Sequence, residues 1–76
     1  MEQITGDMRV AEVIRRAPGT VDVFLARGCP DMRRGLFNLM ARFMSVRNAA
    51  RIHDVELGPL LEDLNKVAHG EADRLR

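Results

Sequence analysis

Apolar residues in this 76-residue chain recur at intervals of three and four from Val10 to Ala68, and strict alternation is essentially absent. A 3.6-residue period gathers such side chains into one stripe along a helix, whereas a strand needs a period of two. The chain is therefore predicted to be all-α, a single compact domain of about five short helices. A domain of this length buries only about 60% of its unfolded surface, so a deep, walled substrate cavity is not expected. Disorder is excluded, because 46% of the residues are hydrophobic and they are spread along the whole chain.

The punctuation sets the boundaries. A first helix is predicted over 9–17, with Val10, Val13, Ile14 and Ala17 on one face and Glu12 and Arg16 paired outside. Pro18-Gly19 stops it, and Thr20 is placed to cap a second helix through Val21, Phe24 and Leu25. Gly28 follows as a left-handed terminator. Cys29-Pro30-Asp31 reads as the start of a third helix, since Pro suits the first helical position and Asp its positive end. On that helix Met32, Leu36, Leu39, Met40 and Phe43 form a stripe, and Phe37, Ala41 and Met44 a second strip beside it. So wide an apolar surface implies either a central, covered helix or one that packs on a second subunit. Ser45 is placed to cap a fourth helix, 46–53. Asp54-Val55-Glu56 forms a turn, and a fifth helix begins at Leu57, with Glu62 and Lys66 paired outside and Gly70 ending it. The expected domain is 1–70, with 71–76 a frayed tail.

The net charge is +1, but its distribution is uneven. Residues 32–53 carry Arg33, Arg34, Arg42, Arg47 and Arg51 without a single acid, between flanks richer in acid than base. Internal pairing with the acidic last helix is the plainer expectation; a polyanion contact through Arg33, Arg34 and Arg42 is the sharper one. One cysteine excludes an internal disulfide. The first residues lack the charged and apolar regions of a signal peptide, and no apolar run approaches the roughly 20 residues of a membrane span. A cytoplasmic, non-membrane protein is the expectation.

Few residues carry chemistry. Cys29, at a helix start near Arg27, Arg33 and Arg34, would have its thiolate favoured, although Asp31 opposes this; a small buried hydrophobe is the alternative. Cys29-Pro30 is also the dipeptide of haem-regulatory motifs, a match of only two residues. His53 falls on the apolar side of a short helix and is weighed as a ligand against a histidine satisfied by its helix end. It has no partner in a His-x-x-x-His or paired-cysteine pattern, so no metal site is expected. The helical spacing of the methionines points to a core or an interface rather than to soft-metal chemistry. No nucleophile–base set or phosphate loop suggests an enzyme. Nucleic-acid binding, if any, would be weak and salt-sensitive.

The segments Ile4-Thr5-Gly6-Asp7-Met8-Arg9-Val10-Ala11-Glu12-Val13, Pro18-Gly19-Thr20-Val21-Asp22-Val23-Phe24-Leu25-Ala26-Arg27-Gly28, Ala49-Ala50-Arg51-Ile52-His53 and Leu57-Gly58-Pro59-Leu60-Leu61-Glu62-Asp63-Leu64-Asn65 together resemble a bacterial and archaeal family of small helical domains. It is associated with hybrid cluster proteins, is related to the N-terminal domain of iron–sulfur cluster repair proteins, and is catalogued as a domain of unknown function. Many members carry Cys-x-x-Cys after the second helix, from which a redox role is inferred. Here that loop holds Cys29 alone, which rules out an intramolecular dithiol cycle.

The resemblance implies a redox or nitrogen-oxide setting. Within it the expected role is a non-enzymatic module for protein–protein interaction or ligand sensing. The partner is a second copy, forming a dimer through Phe37, Met40 and Met44, or a redox-pathway protein. No cofactor is expected in that role; a single-cysteine redox or haem-binding domain using Cys29 is the alternative, and a weak nucleic-acid binder the second alternative.

Overall fold

Five helices follow one another with short connections: α1 (Val10–Arg16), α2 (Thr20–Ala26), α3 (Gly35–Phe43), α4 (Val46–Ile52) and α5 (Leu57–Arg74). They come from a computed structural model, which describes residues 3–74. No strand occurs among those residues; the one bridge, Arg9 to Ser45, is isolated and antiparallel. The fold is all-α, as the periodicity predicts.

One core organises the helices. Val10 and Val13 of α1, Phe24 of α2, Ala49 and Ala50 of α4, and Leu60, Leu64 and Ala68 of α5 are all buried in it. α5 lies across α2 and α4, and α1 connects α2 to α3. The 29–34 segment contributes Cys29 and Met32 to the same core, whereas α3 contributes only Ala41.

The N-terminal segment is strapped to the start of α4. The N–H groups of Val46 and Arg47 donate to the carbonyls of Met8 and Gly6, each at 2.9 Å. Val10 N–H donates to the Met44 carbonyl, also at 2.9 Å. Helix N-termini leave their first N–H groups without intrahelical partners. Here α1 and α4 each take those partners from the segment leading into the other. Ser45 adds the expected cap, its hydroxyl accepting from Asn48 N–H at 3.1 Å.

Several sequence expectations are corrected. Thr20 is the first residue of α2 rather than its cap, and its hydroxyl donates to the Ala17 carbonyl at 2.6 Å, satisfying the end of α1 instead. α3 begins at Gly35, not at Pro30. Asp31 turns the chain by accepting from Arg33 N–H at 3.0 Å, and Gly35 has φ +52°, which no upstream helical turn can carry. α5 runs through Gly70 to Arg74; a single interior glycine costs about 1 kcal/mol, which an otherwise good helix tolerates. The helix thus extends over residues 71–74, and 75–76 lie outside the described residues. The Glu62–Lys66 pair does not form among the described residues. Asp63, one position on, pairs with Arg27 across α2 and α5. The Glu12–Arg16 pair is present at 2.8 Å.

Candidate functional site

α3 is amphipathic in the wrong sense for a core helix. Only Ala41 is buried, while Leu36 and Phe43 are 67% and 71% exposed and Phe37, Leu39 and Met40 are exposed as well. The wide apolar surface read from the sequence is real, but α3 is not central: it packs on α1 and makes no comparable contact with another helix. Of the second option for such a helix, packing on another subunit, the structure supplies the exposed face.

That face continues onto α4. Leu39, Met40, Phe43 and Met44 form one wall of a groove of about 400 Å³, and Asn48, Arg51 and Ile52 form the other. Ile52 is 56% exposed although apolar, because the buried side of α4 is made by Val46, Ala49 and Ala50. Of the three sequence-predicted interface residues, Met40 and Met44 share this groove. Met44 is half-buried and also touches the core, while Phe37 stands exposed on the same helix but outside the groove. Leu39, Phe43 and Ile52 were missed. Ile52 carried a signal, being an apolar residue off the Val46–Ala49–Ala50 side of its helix.

The arginine segment is internally paired, but not with α5. Arg33 and Arg34 both reach Asp31, at 3.0 and 3.7 Å, and Arg47 pairs with Asp7. Proximity in sequence decided this, because the 31–34 turn folds its own acid back onto its own bases. Arg42 and Arg51 enter no ion pair among the described residues. Of the candidate anion contacts, Arg42 is thus left available, while Arg33 is held by Asp31 and Arg34 stands exposed at 3.7 Å from the same carboxylate.

Cys29 does not sit at a helix N-terminus. Five residues separate it from Gly35, its own N–H donates to the Phe24 carbonyl at 3.0 Å, and only 5% of its surface is exposed. Burial pushes its thiol pKa up, opposite to an activated thiolate. Ligation of a haem iron by this sulfur would require the 28–32 loop to open. His53 ends α4, half-buried, with its N–H on the Ala49 carbonyl, and no group of three or more His, Cys, Asp or Glu side chains converges among the described residues. No described helix is long and apolar enough to cross a membrane.

The fold and this surface define a small all-helical domain with an exposed apolar helix face. The chain belongs to the family described as Domain of unknown function (DUF1858), whose model matches residues 4–61, that is α1 to α4 and the first turn of α5. No curated protein and no solved structure matches it.

Proposed function

We propose that this domain is a non-catalytic interaction module that associates with a second copy of itself through the outer face of α3 and the adjoining edge of α4. The observation that carries the reading is the exposure of Leu36, Phe37, Leu39, Met40 and Phe43 on a single nine-residue helix. Together with Ile52 these side chains present on the order of 500 Å² of apolar surface, towards the upper end of what a monomer commonly leaves contiguous and more than half of the ~800 Å² per partner of a standard interface.

Charge favours a like partner. The groove holds no carboxylate and only one cation, Arg51, while Arg33 and Arg34 are tied to Asp31 and Arg42 lies on the α1 side of α3. Two such faces can therefore meet about a two-fold axis with little like-charge repulsion. Leu36, Leu39, Met40 and Phe43 stand at i, i+3, i+4 and i+7, the spacing by which two helices interlock side chains.

The test is the solution mass by native mass spectrometry and sedimentation equilibrium. The native chain is expected as a dimer, and Phe43→Glu or Phe37→Glu as a monomer with unchanged helicity. A native chain that stays monomeric at all accessible concentrations, or a Phe43→Glu dimer, refutes the reading.

A further inference from the structure

On the other side of α3 from the apolar groove, three arginines line one cleft. Arg9 and Arg15 reach it from the α1 side and Arg42 from α3, around a space of about 290 Å³ also lined by Ala11 and Glu12. Arg9 is held in place by donating to the Phe43 carbonyl, which uses one donor of its fork and leaves the rest free. The one carboxylate, Glu12, is already engaged by Arg16 at 2.8 Å. Arg15 and Arg42 enter no ion pair among the described residues. The cleft thus gathers three positive charges around one shared negative charge, in a chain whose net charge is only +1.

We propose that this cleft binds a compact, multivalent oxyanion of phosphate chemistry. Guanidinium forks match the oxygens of phosphate two at a time, and forks from two helices can grip different edges of one tetrahedral group. A planar monocarboxylate offers fewer oxygens and less charge to the same donors. The short Ala11 side chain leaves room between Arg15 and Arg42. An extended polyanion fits poorly. Arg33 and Arg47 are already engaged by Asp31 and Asp7, so they offer no ready continuation of the site for a long backbone.

The test is an NMR titration of the full chain with inorganic phosphate, pyrophosphate, phenyl phosphate, succinate and duplex DNA at fixed ionic strength. Saturable shifts are expected at the amides of residues 9–15 and 41–43. Arg15→Gln and Arg42→Gln should each weaken pyrophosphate about tenfold. Both arginines are exposed, so helicity should not change. Arg15 lies off the apolar face of α3, so its variant should also leave self-association as it was, which separates this test from that of the interface. Binding of the inorganic anions alone identifies a free oxyanion as the ligand. Equal or tighter binding of phenyl phosphate identifies a phosphomonoester on a larger molecule. Three results overturn the proposal: shifts that do not saturate, a doubly substituted chain that binds like the native one, or succinate or duplex DNA binding more tightly than pyrophosphate.

Discussion

Asn65 and Ile4, 61 positions apart in sequence, hold each other through both of their amide groups. Ile4 N–H donates to Asn65 Oδ1 at 2.7 Å, and Asn65 Nδ2 donates back to the Ile4 carbonyl at 3.1 Å and to the Leu61 carbonyl at 2.9 Å. One side chain thereby finishes the hydrogen bonding of a strand-like segment that has no sheet to join. It also anchors that segment to α5 upstream of its strap on α4.

Replacing Asn65 with Leu should leave Ile4 with an unpaired N–H and carbonyl in a half-buried place, at a cost of about 2 kcal/mol. Asn65→Asp keeps the acceptor and loses both donated bonds, so it should fall between the two. Urea denaturation gives the ordering, and amide exchange at Ile4 should rise first in the Leu variant. An Asp variant as stable as the native chain would show that the donated bonds contribute nothing.

Two glycines should fail for different reasons when changed to alanine. Gly28 has φ +97° with open space where a Cβ would stand, so Gly28→Ala should cost only backbone strain, about 1 kcal/mol. Gly6 has an ordinary φ, but a Cβ there would lie 3.2 Å from Leu57 Cδ2 and 3.3 Å from Arg47 Nη2. Gly6→Ala should therefore push on the strap to α4 and disturb the Arg47–Asp7 pair. Gly28→Asn should recover part of the Gly28→Ala loss, since Asn tolerates the left-handed region, whereas Gly6→Asn should be worse than Gly6→Ala. Thermal melting of the four variants checks the pattern.

Cys29 should react with iodoacetamide far more slowly than a free thiol, at a rate set by opening of the 28–32 loop. Its raised pKa also fixes a sign. The folded chain holds the thiol proton more tightly than the unfolded one. The stabilisation is therefore complete below the unfolded pKa of about 8.5 and is lost as pH rises through it towards the folded value. Cys29→Ala should flatten that alkaline limb. Fast alkylation in the native state would contradict the burial.

Helices α1, α2, α4 and α5 were legible because each combines a 3.6-residue apolar period with local punctuation: Pro18-Gly19, Gly28, Ser45 and Asp54. Their boundaries mostly hold to within one or two residues. The 29–35 segment was not legible. Pro30 and Asp31 carry the signature of a helix start, but Asp31 finds a nearer donor in Arg33 N–H, and Cys29 and Met32 are drawn into the core. Helix initiation then waits for Gly35. The apolar width of α3 was visible from residue types alone. Which side of it faces outwards was not, because that depends on α1 covering only the Ala41 side. The three-arginine cleft was hidden for the same reason: Arg42 was counted with its sequence neighbours, whereas the fold sets it beside Arg9 and Arg15.

The Asp31 turn makes the last prediction. Hydrogen bonds from the Arg33 guanidinium, and next from Arg33 N–H, hold the Asp31 carboxyl down to about 2. The folded value lies below the unfolded one of about 3.9, so the turn's contribution is present above pH ~4 and is lost as pH falls towards 2. Carboxyl-detected NMR should place the Asp31 midpoint near the lower end of that window. Arg33→Gln should raise it towards the ordinary carboxylate range, because it removes the largest cause, while Arg34→Gln, whose guanidinium stands at 3.7 Å, should move it little. In the same acid titration the amide of Gly35 should shift with the Asp31 carboxyl, since the turn delivers the chain to the start of α3. Equal effects of the two substitutions would mean that Asp31 senses a diffuse positive field rather than the specific turn that delays α3 to Gly35.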